Sequence, residues 1–175
     1  MTSLSTLEEQ KHELLRELNR WSPVQLAFHP SANEWSALNM LDHLIRTERE
    51  ILAVIYRNDG QYHRFGMTDR LKNRLLCALF RTGRKVKVPS SARMVLPAEE
   101  AEFSALVAEW DEIRTKLDQN LQRLLQSYTG VAVFRHPVAG WMDMPAVLDF
   151  LSVHLVHHGF QLARLRNASR HLDPD

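Results

Sequence analysis

The sequence predicts an all-α protein: a bundle of four long helices with a short extra helix between the second and the third. Apolar residues recur in steps of three and four through four long segments, the period of a helix with one buried face. Capping or breaking residues bound those segments. No stretch shows the apolar and polar alternation of a half-buried strand. At 175 residues and 45% hydrophobic content, the chain has the length of a single domain, residues 1–175, able to bury its own core.

In the first helix Leu4, Leu7, Leu14, Leu18 and Trp21 recur between charged residues. Ser5 or Thr6 is its candidate cap, Glu8 and Glu9 lie in its early turns, and it runs to about Asn19. Ser22 to Trp35, with Pro23, Pro30, Ser31 and Asn33, reads as an ordered connector containing a short turn of helix. Ser36 then caps a second helix from Ala37 to about Arg57, with an apolar arc of Leu38, Leu41, Leu44, Ile45, Ile51, Leu52 and Ile55. His43 shares a line with Thr47, Glu50 and Val54 about 60° outside that arc, so the wheel makes it a half-exposed residue at the rim of a cleft.

Asn58-Asp59-Gly60 is a turn signal, and Leu71, Leu75, Leu76 and Leu79 mark the short extra helix over residues 69–81. Arg81-Thr82-Gly83-Arg84-Lys85-Val86-Lys87 reads as a solvated basic loop, and Val88 to Leu96, containing Pro89, as extended chain. Pro97 followed by Glu99 and Glu100 opens the third helix, which carries a seam of Phe103, Leu106, Trp110, Ile113, Leu117 and Leu124 to about Ser127. Thr129 to Trp141 is a loop. Asp143 caps the last helix, Pro145 occupies its first turn, and beyond Arg166 the tail from Asn167 to Asp175 is polar and frayed.

The last helix holds the densest chemistry. His154, His158 and Gln161 share one face within about 60°, inside an apolar stripe of Val147, Leu151, Leu155 and Leu162, so the imidazoles point inward. A buried imidazole needs a partner, and two histidines one turn apart can bring ring nitrogens to one cation. A hydrogen bond to a carbonyl or carboxylate would serve as well. His157 lies about 60° to the other side and could chelate with His154 at i,i+3 spacing; periodicity prefers His158.

Lys+Arg of 22 against Asp+Glu of 21 gives a formal charge of +1, which leaves no electrostatic footprint for nucleic acid. The lone cysteine, Cys77, sits in an apolar run and reads as a buried structural thiol. No basic-then-apolar leader and no apolar run of about 18 residues is seen, so a soluble cytoplasmic protein without a membrane partner is expected. Gly-rich phosphate loops, nucleophile elbows and CxxC pairs are missing from the sequence.

Two blocks together resemble a known family. Trp35-Ser36-Ala37-Leu38-Asn39-Met40-Leu41-Asp42-His43-Leu44-Ile45-Arg46-Thr47-Glu48, preceded by Phe28-His29-Pro30, is similar to the second-helix signature of the DinB-like superfamily. His136-Pro137-Val138-Ala139-Gly140, then Asp149-Phe150-Leu151 and His154-Leu155-Val156-His157-His158-Gly159-Phe160-Gln161, resemble its HP-x-x-G loop and H-x-x-x-H-x-x-Q helix. Residues 58–96 match least. The resemblance implies a four-helix bundle in which His43, His154 and His158 bind a divalent metal, with His157 outside that set and Gln161 beside it.

Three neutral imidazoles would leave such a cation its whole charge and an open position. It could lower the pKa of water from about 15.7 toward about 7, or hold a thiolate. Zinc, nickel and iron all suit imidazole. Glu48 and Glu50 are candidate supporting carboxylates or a base, with exposed ion pairs as the alternative for each. The resemblance implies a metal-dependent hydrolase or a thiol-dependent S-transferase, with a small-molecule substrate, a low-molecular-weight thiol as candidate co-substrate, and a homodimer among the assemblies. The alternatives are a non-catalytic small-molecule binder and a structural, dimerising helical bundle.

Overall fold

The computed structural model describes residues 2–57, 63–84, 86, 90–98, 102–127 and 130–172. Its long helices are α1 (Leu4–Leu18), α3 (Ala37–Arg57), α5 (Phe103–Ser127) and α6 (Met144–Ala168), joined by the short α2 (Pro23–Ala27) and the extra helix α4 (Met67–Arg81). The fold is the expected all-α bundle. Helix α6 is its centre: α1 and α4 pack on it, and α3 packs on both α5 and α6.

Local chemistry sets the helix starts. Ser3, rather than Ser5 or Thr6, caps α1 by accepting from the Thr6 amide at 3.2 Å. Ser22 and Gln25 form a capping box around Pro23 in α2. Ser36 and Asn39 exchange reciprocal bonds of 3.1 and 3.2 Å at the start of α3. Asp143 caps α6, accepting from the Ala146 amide at 2.9 Å, with Pro145 in the first turn. The buried faces then meet in one core that includes Leu7, Leu18, Leu41, Leu44, Ile45, Trp110, Leu117 and Leu151.

Several expectations need correcting. Ser90–Val95 is not extended but a 3-10 helix kinked at Ala92. Helix α5 begins at Phe103, six residues after Pro97; Glu99 and Glu100 lie outside the described residues, as do the turn at Asn58-Asp59-Gly60, Lys85 and Lys87. The segment read as a loop carries strands: β2 (Val131–Ala132), β3 (Phe134–His136) and β4 (Gly140–Met142). β3 and β4 form an antiparallel hairpin with Arg135 opposite Trp141, and β2 pairs with β1 (His63–Arg64). Strands of two or three residues are too short for alternation to register in sequence. Gly140, at φ +75° in the hairpin, holds a conformation that L side chains rarely adopt, and an added Cβ would come within 2.6 Å of the Asp69 carboxylate.

At the end of the chain, the tail expected to fray continues as helix to Ala168 and a 3-10 turn over Arg170–Leu172, with Ser169 buried; residues 173–175 lie outside the described set. In α4 only Leu76 of the four leucines is buried, while Leu71, Leu75 and Leu79 face solvent or half face it. Asn73 fastens α4 to the hairpin, donating to the carbonyls of Trp141 at 2.9 Å and Ala139 at 3.3 Å. Cys77 is half-buried against the core rather than sealed inside it, and burial pushes its thiol pKa up. Among the described residues, no helix is long and apolar enough to cross a membrane.

Candidate metal centre

Helices α3 and α6 bring His43, His154 and His158 together in the interior, at 4%, 5% and 4% exposure. One nitrogen from each ring lies within 4.8 Å of the others. His154 Nε2 stands 3.2 Å from His43 Nε2 and 3.1 Å from His158 Nε2. Four ligands about 2.05 Å from zinc in a tetrahedron are separated by about 3.3 Å, so these spacings are close to the edge of a coordination polyhedron.

Sequence periodicity put His43 on a half-exposed rim, and the structure buries it. Its cover comes from outside its own helix. Trp35, from the connector, lies with its ring 4.9 Å from the imidazole, and the Val95 carbonyl accepts from Nδ1 at 2.6 Å. The segment after Val95 is strapped to α3 as well. Asn39 Nδ2 donates to the Ala98 carbonyl at 3.2 Å, and the Ala98 amide donates to Asp42 at 2.6 Å. The turn that a wheel cannot see therefore closes over His43 and fixes its tautomer: the proton sits on Nδ1, leaving the Nε2 lone pair turned toward His154.

Proton counting explains why this cluster fits a cation. Burial, as the largest cause, lowers all three imidazole pKa values, those of His154 and His158 well below the usual range, and the neighbouring imidazoles push in the same direction. The rings are neutral, each with one N–H. A proton on His154 Nε2 serves one neighbour and leaves the other nitrogen facing a donor already used. His158 Nδ1 is buried with no partner among the described residues. A divalent cation among the Nε2 atoms would satisfy three lone pairs at once.

The other candidates separate cleanly. His157 is buried beside the cluster but its nitrogens are engaged elsewhere: Nδ1 donates to the Phe80 carbonyl at 3.4 Å, and Nε2 accepts from Gln161 Nε2 at 2.8 Å. Gln161 thus orients His157. Glu50 lines the cavity that opens over the histidines. Glu48 does not: it is 2% exposed and chelates Arg114 through bonds of 2.6 and 2.7 Å, so it belongs to a buried ion pair between α3 and α5. Of its two expected roles it therefore takes the ion pair, buried where an exposed one was expected.

Sequence reasoning missed the phenylalanines of an aromatic collar. Trp35, Phe80 and Phe150 press on the imidazoles, Phe150 stacking on His154 at 5.3 Å and Phe80 at 5.7 Å. Phe150 was legible, since it precedes His154 by one helical turn; Phe80, from α4, was not. Trp110 and Trp21 are core, and Trp141 stacks on His63 at 3.8 Å. His136 also lines the cavity. Its Nδ1 accepts from the Val138 and Ala139 amides at 3.1 Å each, shaping the hairpin turn, and burial lowers its pKa to about 4.

A family model described as the DinB superfamily matches residues 6–162. No curated protein and no solved structure matches the chain.

Proposed function

This chain belongs to the DinB superfamily, and from that premise we propose that it is a metalloenzyme acting on a small molecule, with His43, His154 and His158 holding a divalent cation. The convergence of three Nε2 atoms, one of them fixed by the Val95 carbonyl, carries the reading. A cation held there supplies Lewis acidity that lowers the pKa of a coordinated water or thiol and polarises an electrophile.

Either hydrolysis or thiol-dependent transfer fits such a centre, with Glu34 and Glu50 the carboxylates among the described residues of the cavity lining. His136 Nδ1 already accepts two amide hydrogens, which puts its proton on Nε2, and both nitrogens of His157 are bonded. Glu50 is left as the carboxylate on α3 facing the cavity. Activating water for attack calls on a positioned base, whereas a thiol loses its proton more readily and needs less help. In either case the Trp35, Phe80 and Phe150 rings pack against the imidazoles, and the Val95 carbonyl holds His43 in one tautomer.

Elemental analysis of protein prepared without a histidine tag tests the proposal. One equivalent of zinc, nickel or iron per chain is expected, falling to less than a tenth of that in His154→Ala with the helical circular dichroism retained. Folded wild-type protein that neither contains nor takes up a divalent metal would overturn it.

A further inference from the structure

We propose that the cavity over the three histidines takes an amphiphile: a molecule with a mostly apolar body and a single donor head, not a sugar, a nucleotide or another polar compound. The head's place at the cation rests on the function proposed above; the body's place rests on the walls alone. The cavity holds about 1000 Å³, a volume that encloses most of a drug-sized molecule. Its floor is the aromatic collar, with Trp35 at 4.9 Å from His43 and Phe150 at 5.3 Å from His154. Leu79, Met94 and Val138 line the same cavity while being 39%, 58% and 59% exposed, so its lining carries apolar surface at the solvent side as well as beside the imidazoles.

Charge in the lining points the same way. Among the described residues it comprises Glu34 and Glu50 against Arg135 and Arg164, two of each sign. Neither arginine is poised for a phosphate: Arg164 Nη2 donates to the Gly83 carbonyl at 3.1 Å, and Arg135 lies over the Trp141 ring at 5.9 Å. Among the described residues of the lining a polyanion would find no cluster of cations, and a polyhydroxylated ligand would strand its hydroxyls against aromatic faces.

A homologous series reads this out without any turnover. Binding of n-alkanethiols from ethanethiol to hexanethiol, and of the matching n-alkanols, is measured by calorimetry on metal-free and zinc-loaded protein. Each methylene buried against these walls should raise affinity about fourfold, in both series and in both forms of the protein. 2-Mercaptoethanol should bind at least tenfold more weakly than hexanethiol. Leu79→Glu, at a half-exposed position of α4, should weaken hexanethiol at least tenfold while leaving the circular dichroism unchanged. A slope below about 1.5-fold per methylene, equal binding of 2-mercaptoethanol, or unchanged affinity in Leu79→Glu would each overturn the proposal. The two claims fail separately: a steep slope in protein that takes up no zinc defeats the metalloenzyme reading alone, and stoichiometric zinc with a flat slope defeats the amphiphile alone.

Discussion

Two buried polar clusters share helix α3, and they are built on opposite principles. Glu48, 2% exposed, faces Arg114, 3% exposed, through a bidentate pair, and the network extends to Glu8, Lys11 and Asp111 through ion pairs of 2.8 to 3.4 Å. Every charge there meets an opposite one. His43, 4% exposed, faces two further neutral rings, with its only proton committed to Val95. One cluster is saturated and the other is short of hydrogens. Depth of burial does not distinguish these two clusters; the balance of donors and acceptors does.

The largest test of that contrast removes one side of the saturated cluster. Glu48→Ala leaves the Arg114 guanidinium buried without its main partner and should cost about 3–5 kcal/mol in urea unfolding, while metal uptake by the folded fraction is retained. A loss under about 1 kcal/mol would mean that water relieves the arginine, and the comparison would break.

Acid acts on the other cluster. His43, His154, His158 and His136 all have folded-state pKa values lowered from 6.5, that of His136 to about 4. The unfolded chain therefore takes up protons first. Their stabilisation is complete above about pH 6.5 and is lost as pH falls toward the folded values; His136 alone contributes roughly 3 kcal/mol across that window. Urea unfolding of metal-free protein at pH 7.5, 6.0 and 5.0 should show a steady decline, and a flat profile would mean that these rings are not held neutral.

The smallest effect sharpens the comparison. Glu50 belongs to neither cluster, so Glu50→Gln should change stability by no more than about 0.5 kcal/mol and leave metal content intact, as isothermal unfolding and elemental analysis would report.

What the sequence revealed follows the range of the interactions involved. Helix periodicity and caps are local, and they placed α1, α3, α4 and α6 and put His154 and His158 on one inward face. His43 was misjudged because Trp35 and Val95, which cover it, lie off its helix. The burial of the Glu48 ion pair was illegible for the same reason: Arg114 is 66 positions away. The hairpin of β3 and β4 went unseen because three-residue strands leave no period to read, and the 3-10 turn over Ser90–Val95 because its role is to dock on α3 rather than to bury a face of its own.

The separation of His43 from His154 by 111 positions also dictates when the site comes into being. A ribosome adding about 5–20 residues per second makes α1, α3 and α5 before either histidine of α6 exists. A chain arrested short of Met144 would offer a cation one of the three imidazoles. On the proposed function, capture of a cation by all three imidazoles would be a finishing step in biogenesis, open only to polypeptides translated as far as His158.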